Sequence, residues 1–206
     1  MPRSILYGKL NRPRSSVKTL ARARLYRQVD KSLESNVTTI VTPAGFGKTA
    51  LLSAWMAQRT LPTTWLSLDV NDNQLLTFVR YLALAIEGLF PSGCRETRSL
   101  VEALFPPTLA QLTDCLLAEI GALPEPAILI LDDYQVVENP QIHALVASLI
   151  DHLARHLHLI IASRSEPLLP LSRWRLNGTL TEIRAQDIRF ELGEARELLN
   201  LLLNMD

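Results

Sequence analysis

The sequence predicts an α/β fold in which helices cover both faces of a parallel sheet, and three observations carry that expectation. Short apolar, β-branched runs alternate with amphipathic helical stretches along the chain, the order expected of a parallel sheet with helical crossovers. One of those runs, Ala127 to Leu131 (AILIL), is continuously apolar, as a strand buried on both faces must be. A third run ends in the glycine-bearing stretch Thr42 to Thr49 (TPAGFGKT), followed at once by a helical pattern.

That last stretch has the setting of a phosphate-binding loop: the strand Val37 to Val41 (VTTIV) before it and a helix, Ala50 to Gln58, after it. The expected fold therefore narrows to the three-layer P-loop NTPase architecture, with a five-stranded parallel sheet between helices. Gly45 and Gly47 let successive backbone N–H groups of the segment Gly45, Phe46, Gly47, Lys48, Thr49 and Ala50 turn toward an anion. Lys48 offers an ammonium to the β- and γ-phosphates, and the Thr49 hydroxyl can hold Mg²⁺. The positive end of the following helix adds to the attraction. One departure is Thr42, where the pattern G-x-x-x-x-G-K-[ST] has glycine. That glycine eases the turn and is not a phosphate ligand.

In chain order, residues 1–19 form a basic lead-in with Pro2 and Pro13, and a helix follows from about Ala21 to Leu33. The first 31 residues hold nine Lys or Arg against the single acid Asp30, so this arm is a solvated leader, an anion-contacting segment or a transit peptide. The spacing of Leu20, Leu25 and Val29 favours folded structure. Beyond the loop helix, Thr63 to Asp69 is a second strand, broken at Asn71 to Asn73. The helix Gln74 to Phe90 puts Leu75, Val79, Leu82, Ile86 and Leu89 on one face. Leu109 to Ile120 is helical, with Gly121 suited to its C-terminal cap. Asn139 before Pro140 marks a helix start, running to Leu153. His158 to Ala162 is a fourth strand, Arg173 to Leu176 a helical turn closed by Gly178, Thr179 to Ile183 a fifth strand, and Glu194 to Asn204 the last helix.

Composition is that of one globular domain with at most a small appendage: 206 residues, 48% hydrophobic, 20% charged and net charge zero. The most apolar helix carries Arg80 and Glu87 and is too short to span a membrane. Cys94 and Cys115 lack metal-ligand spacing, and without a secretory signal a reduced cytoplasmic setting is expected. His152 and His156 are four apart but have no H-E-x-x-H context, so no metal pair is expected there.

Asp132 and Asp133 follow AILIL directly. Strand C-termini in a parallel sheet face the ligand crevice, so both carboxylates point toward the phosphate loop: one acid holds Mg²⁺ through water and the other orients or deprotonates an attacking water. Arg164, just past the fourth strand, reaches the same crevice and can contact the γ-phosphate, with Ser163 as a second candidate. Asp69 either approaches this crevice or simply ends its strand.

Taken together, LARARL, TPAGFGKTALLSAW, WLSLDVNDN, AILILDDYQVV, HLHLIIASRSEPLLPLSRWR and LTEIRAQDIRFELGEARELL resemble the nucleotide-binding (STAND-type P-loop ATPase) domain of the large ATP-binding LuxR-type transcriptional regulators. The similarity runs from about Lys9 to Leu203. It implies a switch domain that holds ADP when inactive and ATP with Mg²⁺ when active, assembles with itself or with other domains of a full-length regulator, and hydrolyses ATP slowly. By motif match, Lys48 and Thr49 take the Walker A roles and Asp132 and Asp133 the Walker B roles, with Asp132 at the metal and Asp133 catalytic. Arg164 takes the first sensor role, and Arg22 with Leu25 belongs to the region near the adenine. The implied division is a lead-in (1–20), an ATPase core (21–190) and the first helix of a truncated helical domain (191–206), so no direct DNA contact is expected of this chain. Gln135, where a His commonly follows Asp-Asp-Tyr, and Glu191, a weak N-cap, depart from the family pattern. The alternatives are a nucleotide-binding module without turnover and a small-molecule phosphotransferase, which would need an acceptor-binding lid.

Overall fold

Five parallel strands form one sheet: β1 (Val37–Val41), β2 (Thr63–Ser67), β3 (Ala127–Asp132), β4 (Leu157–Ser163) and β5 (Leu180–Arg184), in the order β2-β3-β4-β1-β5. The computed structural model describes residues 5–13, 20–152 and 155–203, without the side chains of 201 and 202. The expected helix ends at Leu153 and Asn204, the side chain of Leu202 and the lead-in residues 1–4 and 14–19 lie outside them. The expected fold class is the one found.

Alternation along the strands divides the core into two layers. On β3, Leu129 and Leu131 face one cluster while Ile128 and Ile130 face the other, and on β4 Leu159 and Ile161 oppose Ile160 and Ala162 in the same way. The larger cluster packs the sheet against α3 (Leu75–Glu87), α5 (Leu109–Gly121) and α6 (Pro140–His152). The smaller one packs it against α1 (Ala23–Ser32) and α2 (Lys48–Met56), with Trp55 and Trp65 fully buried. Each fully buried Leu or Ile contributes about 1.5–3 kcal/mol relative to exposure, so the period-2 pattern is what fixes the register.

The helix starts show local and distant causes. At α6 the Asn139 side chain accepts from the Gln141 N–H at 2.9 Å, the expected cap. At α5, Thr108 and Gln111 form a reciprocal capping box, a signal present in the sequence. α4 (Arg95–Val101) was not expected, and its first turn is capped from another helix: the Glu119 carboxylate accepts from the N–H groups of Glu96 at 2.6 Å and Thr97 at 3.0 Å and from the Thr97 hydroxyl. α7 (Leu171–Leu176) buries Trp174, and Gly178 follows it at φ +67°. α8 (Ala185–Ile188) and α9 (Leu192–Leu203) are the last elements of the described residues. Glu191 is a poor cap by type, yet α9 begins there because the Glu194 carboxylate folds back onto the Glu191 N–H at 3.0 Å.

The described part of the basic arm is built into the molecule. Lys9 inserts between Asp69 at 2.8 Å and the fully buried Asp72 at 2.6 Å, with its ammonium 4.9 Å from the centre of the Tyr81 ring. The Ser53 hydroxyl on α2 donates to Pro13 O at 2.7 Å. No helix of the described residues is long and apolar enough to cross a membrane.

Candidate functional site at the C-terminal edge of the sheet

β1 ends at Val41, and the chain leaves the sheet through Thr42, whose N–H donates to Ser163 O at the end of β4 at 3.2 Å. Gly45 and Gly47 both sit at φ +82°, a region that side chains disfavour, with open space where a Cβ would project. Gly47 is the N-cap of α2, so the N–H groups of the helix's first turn face outward without intrahelical partners. Gly45, Phe46 and Gly47 are exposed, while Ala50 and Thr49 lie half-buried in the first turn of α2.

Lys48 is 7% exposed and curls under the loop, donating to Thr42 O at 2.7 Å and Pro43 O at 3.2 Å and reaching the Thr42 hydroxyl at 3.3 Å. The departure at position 42 thus supplies an extra oxygen for the ammonium. Burial pulls the Lys48 pKa below its ordinary value, and Asp132 and Asp133 oppose that shift while Arg164 adds to it. Among the described residues the ammonium's hydrogen bonds go to carbonyl and hydroxyl oxygens, with Asp132 and Asp133 attracting it without direct contact, and an anion at the loop would complete this arrangement.

Asp132 is 3% exposed and accepts from the Thr49 hydroxyl at 2.8 Å through Oδ2 and from the Asp133 N–H at 3.0 Å through Oδ1. Burial raises its pKa; the Thr49 hydrogen bond works against that, and Asp133 adds to it. A cation beside Thr49 and Asp132 would restore the ionised form. Asp133 adopts the left-handed conformation at φ +58°, which turns its side chain away from that of Asp132. Its Oδ1 accepts from Gln135 Nε2 at 2.8 Å and lies 3.6 Å from the Arg164 guanidinium. Gln135 Oε1 in turn accepts from the Arg164 N–H at 2.9 Å. Ser163 is fully buried, and its hydroxyl has no hydrogen-bond partner among the described residues.

The pairing order explains the convergence. β4 lies between β1 and β3, so phosphate loop, paired acids and Arg164 leave three adjacent strands at one edge. Among the described residues, Thr49 is the side chain that joins loop helix to acid strand by a hydrogen bond.

No family model matches the chain. It is 33% identical over 200 residues to the HTH-type transcriptional regulator MalT of Cronobacter sakazakii and 31% identical over 199 residues to that of Klebsiella pneumoniae, with 97% of the chain aligned in each case. The chain is homologous to part of MalT. It spans 22% of the length of these MalT relatives. Among solved structures it resembles Cdc6p of Pyrobaculum aerophilum (TM-score 0.57, 14% identity, 92% of this chain and 51% of that one). It also resembles a Walker-type ATPase of Pyrococcus abyssi (TM-score 0.52, 16% identity, 91% and 60%). At such low identity these two likenesses establish the P-loop ATPase fold and nothing finer.

The MalT alignment covers both the residues at this edge and those further back. Arg22 is 9% exposed and already engaged: its guanidinium donates to Ile188 O at 2.7 Å, Arg189 O at 2.8 Å and Glu194 at 2.7 Å, and lies over the Phe190 ring at 4.3 Å. Leu25 is fully buried in the smaller core cluster. Arg22 therefore sits at the junction of α1 with α8 and α9, and Leu25 in the core under α1. Asp69 accepts from the Asn71 N–H at 2.7 Å and pairs with Lys9. Gln135 is the residue whose contribution the sequence left unread, and its position two residues beyond Asp133 is the signal that could have found it.

Proposed function

We propose that the chain is the nucleotide-binding switch domain of a MalT-like transcriptional regulator, binding ATP or ADP with Mg²⁺ and hydrolysing ATP slowly. The observation that carries this reading is the Thr49 to Asp132 hydrogen bond of 2.8 Å beside a buried, phosphate-seeking Lys48. Lys48 and the N–H groups of Gly45 to Ala50 would hold the phosphates, and Thr49 and Asp132 would hold Mg²⁺, which keeps water and phosphate oxygens as its remaining ligands. The metal neutralises charge on the phosphates when bound. Asp133 would orient an attacking water and Arg164 would contact the γ-phosphate.

The resemblance assigns Arg22 and Leu25 to the region near the adenine, and the packing of Leu25 in one core cluster with Leu51 and Leu52 of the loop helix α2 supports that reading. The division into lead-in (1–20), core (21–190) and the first helix of a helical domain (191–206) is supported by α9, whose Leu192, Leu199 and Leu203 are exposed. Self-association or contact with further domains of a regulator would cover them.

Binding without turnover is the second reading, favoured because Asp133 Oδ1 is already occupied by Gln135 and faces Arg164. Calorimetric titration with ADP and ATP, with and without Mg²⁺, combined with a phosphate-release assay, tests both. Mg²⁺-dependent binding with slow release supports the first reading, binding with no release the second, and no binding of either nucleotide refutes both.

A further inference from the structure

Asp133 and Arg164 stand at the ends of different strands, β3 and β4, and both are open to solvent, their side chains 39% and 56% exposed. An exposed pair at 3.6 Å holds itself together weakly. The side chain of Gln135 bridges the two. Its amide donates through Nε2 to Asp133 Oδ1 at 2.8 Å and accepts through Oε1 from the Arg164 backbone N–H at 2.9 Å. An amide offers one donating and one accepting end, so this single group meets both demands at once and in one orientation. Farther along the same loop, Glu166 is held by Arg175 at 2.6 Å and by Arg184 at 3.5 Å. Arg164 thus has its main-chain N–H held by Gln135, while its guanidinium makes only the 3.6 Å contact with Asp133 among the described residues.

We propose that Gln135 is a positioning residue that sets how strongly the site distinguishes a nucleoside triphosphate from a diphosphate, by fixing Arg164 and Asp133 against each other. The inference rests on the nucleotide-binding reading above. Two anions compete for the Arg164 guanidinium: the Asp133 carboxylate and the terminal phosphate of a triphosphate. When Arg164 turns to the phosphate, Asp133 loses a cation but keeps the Gln135 hydrogen bond. Its carboxylate therefore stays beside β3 and does not follow the arginine. With a diphosphate there is no terminal phosphate to draw Arg164 away, and the pair stays closed. Gln135 makes the open arrangement affordable to Asp133 and keeps the Arg164 main chain at the crevice.

The test compares dissociation constants for ADP and a non-hydrolysable ATP analogue in four proteins: wild type, Gln135→Leu, Arg164→Ala and the double variant. Gln135→Leu removes both hydrogen bonds at similar size. It is expected to weaken binding of the triphosphate analogue by about tenfold, the scale of one hydrogen bond to a charged group, while ADP affinity holds. In the Arg164→Ala background the same change is expected to leave the analogue-to-ADP ratio where Arg164→Ala put it, because Gln135 acts through that arginine. Equal loss for both nucleotides, no loss for either, or additive effects in the double variant would overturn the proposal. If Gln135→Leu melts before it can be titrated, Gln135→Glu keeps the acceptor for the Arg164 N–H but sets a like charge against Asp133. The same selective loss is expected from it. Wild type that fails to bind ADP refutes the nucleotide reading itself; wild type that binds, with Gln135 variants indistinguishable from it, refutes only this inference.

Discussion

The Thr49 hydroxyl donates to Asp132 Oδ2 at 2.8 Å, joining two residues 83 positions apart in the chain. It is a direct contact between the first turn of α2 and the end of β3. The acid is buried, and its carboxylate is pushed toward protonation by that burial. Replacing the hydroxyl with a methyl group of similar shape isolates what this link does. Thr49→Val should bind ATP nearly as wild type does in Mg²⁺-free buffer yet lose about tenfold of the Mg²⁺-dependent gain, the scale of one ligand to a charged centre. Calorimetric titrations at matched ATP with and without Mg²⁺ would show it, and an intact Mg²⁺ effect would remove Thr49 from the metal site.

Asp133 is separated from Asp132 in environment although the two are adjacent in sequence. Its left-handed backbone, at φ +58°, sends the carboxylate to Gln135 and Arg164 instead of to Thr49. Asp133→Asn should therefore leave ATP affinity within a few-fold of wild type while cutting phosphate release by about a hundredfold, the lower end of a lost general base. Equal release rates from the two proteins would assign Asp133 a structural role only.

His158 carries a prediction about stability that needs no ligand. It is buried at the β4 edge of β1, with Nδ1 donating to Ser35 O at 3.0 Å and Nε2 facing the Thr38 hydroxyl at 2.8 Å. Burial lowers its pKa to about 4. A histidine whose folded pKa lies below its unfolded value takes a proton more readily when unfolded. Its contribution is therefore unchanged above about pH 6.5 and stability falls as pH drops from there toward 4, by about 3 kcal/mol in total. Urea unfolding from pH 7.5 to 4.5 should show that slope, and His158→Gln should flatten it. A wild-type slope no steeper than that of the variant would contradict the assignment.

How far the sequence led depends on where each element's determinants lie. The strand Val37–Val41 was readable at its full length because β-branched residues and the glycine-bearing loop bound it on the page of the sequence itself. AILIL was readable from its continuous apolar run, and the strand extends one residue beyond the expected end, through Asp132. The 95–101 helix was not, because its first N–H groups are capped by Glu119 from a helix that follows later. Lys9 read as part of a charged arm, and only the tertiary structure shows it neutralising Asp69 and Asp72. At the site, the phosphate loop and paired acids announced themselves by local pattern, and Arg164 by its place after a strand. Gln135 did not, since its meaning depends on a backbone N–H contributed 29 residues later. Residues marked by a local motif were legible even where their partners are distant, and residues that no motif marks became readable only through the fold.

Lys48, buried and held by Thr42 and Pro43, is the residue on which the proposed nucleotide binding turns. A titration of Lys48→Ala with a fluorescent ATP analogue, after confirming by circular dichroism that the variant is folded, tests it most directly. Loss of detectable binding, against a saturable wild-type curve, is the expected result. An affinity unchanged from wild type would contradict the account.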